Sequence, residues 1–466
     1  MYLLNVRNGV RPVADKRNDF SVGSISKAIL GLALPMTAAQ VVNILYSVVD
    51  RIYLGRIPDI GHLALAGLGV TMPVISILLA FANLCGMGGA PLCSIHRGKG
   101  ENEEAERIMG NSFALLMLLG VAVMVICYLF KRPILYFFGA SDVTYPYAVE
   151  YLDIYLIGTL FVMIGLGMNP FINSQGFGRV GMLTVVVGAA INIVLDPIFI
   201  FAFDMGVKGA ALATVIAQFC SAVWVMAFLI GKKSILRLRV ENLRLQARRV
   251  RRILALGLSG FIIGLTNSLV QIACTKTLSI YGGDLYVGIM TVGNSLKEIF
   301  FMATQGLVGG SQPVIGYNYG AGKYQRVRAA IRFTAIAAIG YSVLAWVLLQ
   351  TLPGPLMGLF STDAATISAG IPAMRIYFSL IPFQAMQLAA QSTFVGLGKS
   401  RQAIFFSLLR KAFVCAPLVV ILPALGMGTD GVFAGEALSQ LIGGIACFTT
   451  MYCIVYRPMA KMPDRE

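Results

Sequence analysis

The sequence predicts an all-α polytopic membrane protein, with twelve transmembrane helices arranged as two parallel six-helix repeats. Three observations carry that expectation. Of the 466 residues, 57% belong to the set AVILMFWYC and only 12% are charged; with a mean hydropathy of +0.78, the chain exceeds what the interior of a water-soluble fold can hide. The apolar residues gather into runs long enough for a hydrocarbon layer about 30 Å thick, which takes about 20 helical residues. A set of glycine and proline motifs also returns in the second half of the chain.

The runs lie at 27–55, 63–93, 108–130, 148–172, 180–203, 208–231, 253–280, 285–314, 329–351, 371–395, 402–425 and 430–456, and are numbered spans 1 to 12. Basic residues in alternate connections distribute as about 27 on one side and about 4 (Arg56, Lys131, Arg132 and Lys208) on the other. This asymmetry predicts that both termini lie in the cytoplasm, with the multi-pass chain in the cell membrane. Residues 1–26 are then a cytoplasmic tail carrying Arg7, Arg11, Lys16 and Arg17. Residues 27–231 form an amino lobe, 253–456 a carboxyl lobe and 457–466 a second tail. Segment 232–252, with Lys232, Lys233, Arg237, Arg239, Arg244, Arg248, Arg249, Arg251 and Arg252, is the basic linker.

The formal charge of +16 would suit a nucleic-acid binder. Its concentration between apolar runs instead suits a loop facing anionic lipid. No cleavable leader is expected, because the first 26 residues lack an apolar core. The eight cysteines form no CxxC pair and read as small buried hydrophobes; the two histidines, His62 and His96, lack a second ligand at zinc spacing.

Pro91, Gly98 and Gly100 of PLCSIHRGKG recur 222 residues later as Pro313, Gly320 and Gly322 of PVIGYNYGAG. GFGR (176–179) pairs with GLGK (396–399), Pro197 with Pro417, and MGVKG plus Gln218 with MGTDG plus Gln440. Six spans separate the copies. An even number gives both halves the same orientation, with a pseudo-two-fold axis along the membrane normal.

Polar side chains inside a span must face protein or water. Gln40, Asn43, Ser47 and Asp50 share one face of span 1. Asn267 and Gln271 mark span 7, Asn294, Glu298 and Gln305 span 8, and Gln384, Gln387 and Gln391 span 10. Stripes in both halves predict a shared hydrated cavity, the competing reading being interhelical hydrogen bonds that lock the bundle. In span 5, Asn192 and Asp196 share a face immediately before Pro197, which leaves the Ile193 carbonyl without its helical donor. With Thr214 and Asp50 they form an all-oxygen set suited to Na⁺, or a carboxylate pair sharing one proton. An acid at the aqueous rim with no role is the alternative for each.

NILYSVVDRIYLG, INIVLDPIFIF, GVKGAALATVIAQ, the GFGR and GLGK loops and the repeated PxxxxxxGxG turn together resemble the multidrug and toxic compound extrusion (MATE) family, in its DinF-like branch. The resemblance runs from about residue 25 to 456. It implies two lobes forming a V-shaped cavity, cation-coupled drug export, and an amino-lobe cation site at Asp50, Asn192, Asp196 and Thr214. Another branch carries acids on spans 7 and 10, where this chain has Asn267, Gln271, Gln384, Gln387 and Gln391, so coupling through the carboxyl lobe is not expected.

Glu298 reads either as a structural partner of Lys297 or as the counter-charge for cationic substrates. Met163, Met168, Met290 and Met302 are adaptable apolar contacts or simple packing. Pro35 weakens span 1 and is the candidate hinge. The expected function is a secondary antiporter exporting amphipathic, cationic organic compounds against inward H⁺ or Na⁺, as a monomer, without a cofactor, a resident metal other than Na⁺ or a nucleic-acid partner. A flippase for lipid-linked saccharides is the alternative transporter. An intramembrane enzyme is disfavoured by the lack of HExxH, DDxxD and GxSxG, and an ATP-driven pump by the lack of GxxxxGK[ST].

Overall fold

The computed structural model describes residues 18–58, 60–360 and 363–465. The tail residues Arg7, Arg11, Lys16 and Arg17 lie outside the described residues, as does the His62 side chain. Helices account for every regular element among the described residues.

Span 1 is one helix, Ile25–Gly55, capped by the Ser24 hydroxyl and unbroken at Pro35. Gly61–Gly98, Asn102–Leu129, Gly178–Ala202, Gly206–Ile230 and Tyr324–Thr351 form spans 2, 3, 5, 6 and 9. Spans 4 and 10 are bent pairs, Tyr145–Ile157 with Thr159–Ser174 at 59° and Ala364–Phe378 with Ile381–Gly396 at 42°. Two longer helical runs each hold two spans. Gly283, with φ 63° and ψ −163°, divides 247–320 into spans 7 and 8. Gly426 and Gly428, at φ 101° and 53°, divide Ser400–Met459 into spans 11 and 12. Twelve spans result among the described residues.

The helix ends repeat at a constant interval of 222. Gly98 and Gly320 end spans 2 and 8, Ser174 and Gly396 end spans 4 and 10, and short helices begin at Lys131 and Pro353. Glycine recurs where the backbone enters the left-handed region: Gly100 with Gly322 (φ 78° and 71°), and Gly206 with Gly428 (φ 55° and 53°). The same rule corrects one sequence match. Gly176 (φ 89°) pairs with Gly398 (φ 71°), so GFGR and GLGK correspond two residues out of the register in which their letters align.

The repeats meet at the end bearing the basic loops. A Cβ on Gly98 would collide with the Tyr317 carbonyl oxygen, and one on its mate Gly320 with the Ile95 carbonyl oxygen. Gly88 abuts span 7 at Ile253 and Gly257, while its mate Gly310 abuts span 1 at Ala33. Small residues let these backbones approach within the bilayer. Toward the other end the repeats diverge around the cavities, giving the V. Leu34, Leu45, Leu118, Leu129 and Leu344 are among the apolar side chains left exposed on the outside, as a lipid-facing belt requires.

Residues 18–23 cross the closed end as a strap. Arg97 donates to the Asn18 carbonyl (2.7 Å), Tyr317 to Asp19 (3.0 Å), and Asn318 to the Phe20 carbonyl (3.1 Å), joining spans 2 and 8 through one segment. The linker is docked, not free: Ser234, Ile235 and Leu236 all donate to Gln175 Oε1, and Arg249 pairs with Glu104 at 2.6 Å. The segment is thereby held against the amino repeat while Lys232, Lys233, Arg244, Arg248, Arg251 and Arg252 stay exposed, and span 7 is already helical from Ala247.

Candidate functional site: three joined cavities

Between the arms lies a central cavity of about 520 Å³, lined by Gln40, Asn83, Asn169, Asn173, Gln305 and Gln312 together with Met36, Met87, Met182 and Met302. Glu298 is its only charged lining residue among those described. An amino-repeat cavity of about 340 Å³ joins it along Leu166, Asn169 and Val185; a carboxyl-repeat pocket of about 270 Å³ joins it along Glu298, Phe301 and Gln305.

The amino cavity gathers Asn43, Ser47, Asp50, Asn192 and Thr214, with Tyr46, Tyr151 and Tyr155 around them. Asn192 Nδ2 donates to Asp196 Oδ1 and to Thr214 Oγ1, both at 3.3 Å. The Asp50 carboxyl group adjoins that of Asp196, which is fully buried. Span 5 passes directly from Pro197 into a π-helical turn, Ile198–Ala202, the local irregularity expected where proline interrupts the ladder. Asp50 Oδ1, Asn192 Oδ1 and Asp196 Oδ2 are buried acceptors without a hydrogen-bond donor. Three unsatisfied oxygens in one place suit a proton or Na⁺.

The four stripes have different environments. Gln40 faces the central cavity, Asn43, Ser47 and Asp50 the amino cavity, and Asn267, Gln271, Asn294 and Gln384 the carboxyl pocket. Gln387 and Gln391 instead donate to the span 11 carbonyls of Phe406 (3.3 Å) and Ala403 (3.0 Å). Those two follow the locking alternative, because their face of span 10 meets span 11. Met163 and Met168 are fully buried core, whereas Met302 reaches the central cavity. Lys297 turns from Glu298 to Glu436 (2.8 Å). Glu298 is exposed to the cavity, with no ion pair or hydrogen bond among the described residues.

Glu436 was not singled out by the sequence reading. The signal lay inside a repeat already matched: between Gly431 and Gln440 it stands 222 residues after Thr214. Lys411 also reaches its Oε1 (2.9 Å), Arg410 lies 3.8 Å from the same atom, and the Cys415 thiol donates to Oε2 (2.7 Å). Among the described residues, no group of three or more His, Cys, Asp or Glu could form a metal cluster.

Two six-span repeats around a polar cleft are the architecture of a membrane transporter. A family model described as MatE matches residues 35–198 and 261–421, one segment in each repeat, so the chain belongs to the MatE family. It is 22% identical over 437 residues to the multidrug export protein MepA of Staphylococcus aureus (strain N315), covering 93% of this chain and 95% of that protein. Identity to the MepA protein of Staphylococcus saprophyticus is 24% over 443 residues, with 94% and 95% covered. Among solved structures, a MATE protein in the bent conformation superposes with a TM-score of 0.90 at 21% identity, over 96% of this chain and 98% of that one. An outward-facing MATE multidrug resistance transporter gives 0.89 at 21%, over 97% and 100%.

Proposed function

We propose that this chain is a multidrug efflux antiporter of the cytoplasmic membrane, exporting amphipathic organic cations in exchange for inward H⁺ or Na⁺. The adjoining carboxyl groups of Asp50 and Asp196, with three unsatisfied oxygens around them, carry the reading. Two like charges side by side repel, and a bound cation or proton removes that repulsion. Span 1 then bends at Pro35, the amino cavity shrinks and drug leaves; inward release of the cation resets the cycle. Glu298 supplies the negative charge that a desolvated organic cation requires. The same lone carboxylate disfavours a lipid pyrophosphate in the central cavity, and with it the flippase reading.

The names of the MepA relatives support drug export. Charge asymmetry supports cytoplasmic placement of both termini and of linker 232–252. The V would then be open outward.

Reconstituted protein loaded with a cationic dye, with a Na⁺ or a proton gradient imposed separately, tests the coupling. Asp50→Asn and Asp196→Asn should each abolish gradient-driven export while the protein remains inserted and folded. Wild-type rates in both variants would place coupling elsewhere.

A further inference from the structure

The two repeats carry pockets of opposite polarity at equivalent places. In the amino repeat, Asp50 and Asp196 adjoin, and Thr214 is the span 6 contribution. In the carboxyl repeat the mate of Thr214 is Glu436, and Lys297, Arg410 and Lys411 converge on its Oε1. Three bases therefore share one carboxylate oxygen. The other oxygen is taken by the Cys415 thiol, so Glu436 offers little further compensation.

These groups are not a solvated surface. Arg410 is 5% exposed, and its Nε is buried without an acceptor; Nη1 is held by Gln387 Oε1 at 2.9 Å. The Lys297 and Lys411 side chains are 17% and 12% exposed. Arg410 and Lys411 lie on the π-helical turn Leu409–Cys415, which alters the facing of side chains relative to an α-helix. Tyr377 donates to Asn294 (2.9 Å) and Asn294 to Gln271 (3.0 Å), continuing a polar wall of the pocket away from the bases. Positive charge left uncompensated in a buried membrane site is costly. An anion in the pocket would supply the compensation, and guanidinium and ammonium donors suit a carboxylate.

We propose that the carboxyl-repeat pocket is a carboxylate-binding site, and that its occupant in transport is the carboxylate of an amphipathic zwitterion whose cationic group faces Glu298. Glu298 lines both this pocket and the central cavity, so one ligand spans both. The substrate half of the proposal rests on the efflux reading above; the existence of an anion site does not.

The test uses the full chain, purified and reconstituted, with three probes: sodium benzoate, a rhodamine bearing a free carboxylate, and the methyl ester of that rhodamine. Benzoate binding is measured by calorimetry in low-chloride buffer for wild type, Arg410→Gln and Lys411→Met. Binding to wild type, weakened about tenfold or more in each variant, is expected for a desolvated charged contact. Export of the carboxylate dye should fall by about as much in both variants, and export of the ester should stay within about twofold, which also establishes that they are folded.

If benzoate binds through these bases while both dyes are exported alike by all three proteins, the carboxylate site stands with a free anion as its occupant and the zwitterion assignment is overturned. If benzoate binds no protein and the variants treat both dyes as wild type does, the site itself is overturned. Glu298→Gln separates the two readings: undiminished export of the ester would overturn the cation role of Glu298, whereas benzoate binding tests the basic pocket independently.

Discussion

Gly98 and Gly320, related by the internal repeat, each press their backbone against a carbonyl of the other repeat, Gly98 against Tyr317 and Gly320 against Ile95. The closed end of the V is thus a self-complementary contact made twice by one chain. An added methyl group meets backbone on either side, and backbone cannot turn away as a flexible side chain can.

Gly98→Ala and Gly320→Ala should therefore each part the closed end, at a cost of about 1–3 kcal/mol, the range for overpacking. The double variant should be less harmful than the sum, because the first substitution already separates the shared contact. Spin-label distances between Lys99 and Arg401, one in each repeat, together with thermal unfolding, measure both effects. Unchanged distances in both single variants would remove the contact from the closed state.

The strap predicts a pH dependence. Burial works against ionisation of Asp19, but hydrogen bonds from Ser21 and Tyr317 and the nearby Arg97 charge outweigh it and hold its carboxyl below the ordinary value near 3.8. A depressed folded-state value stabilises above the ordinary pKa, and that stabilisation disappears as pH falls through the lower one. The same spin-label distances should be constant from about pH 8 to about pH 5 with respect to this group, loosening only below about 4. Tyr317→Phe should raise the open population about fivefold at neutral pH, as the loss of about 1 kcal/mol implies.

The proposed amino-repeat coupling site predicts that Thr214 matters differently for the two ions. Thr214→Val keeps the volume and removes one oxygen, so Na⁺-driven export should fall about tenfold while proton-driven export changes less than about twofold, as expected for loss of a hard-cation ligand. Equal falls under both gradients would make the threonine a packing residue.

Gln391→Leu should lower stability by about 1 kcal/mol, through loss of its bond to the Ala403 carbonyl. The ratio of cationic to neutral dye export should remain at the wild-type value. A changed ratio would return Gln391 to the cavity wall.

Sidedness follows from charge: single cysteines at Arg248 and Asp363 should label from opposite faces of the membrane. Modification of both from one face would overturn the twelve-span topology.

Spans, repeat and acids were legible in the sequence because the bilayer imposes their signals locally. A helix must carry about 20 apolar residues, a left-handed turn favours glycine, and an intramembrane acid is conspicuous against such a background. Asp50 and Asp196 lie on different helices, yet both stand out for that reason. Facing was another matter. Gln384, Gln387 and Gln391 form one stripe by spacing, but packing against span 11 leaves Gln384 in a cavity and engages the other two with backbone. Lys297 and Glu298 are neighbours in sequence, while the 100° step of the helix sends one to Glu436, 139 residues away, and the other into the cleft. Composition and periodicity determined that the chain crosses a membrane as two like halves. Only the tertiary structure decided which polar groups meet, because pairing depends on helix rotation and on π-helical turns such as 409–415, which displace the side chains that follow from a simple 3.6-residue register.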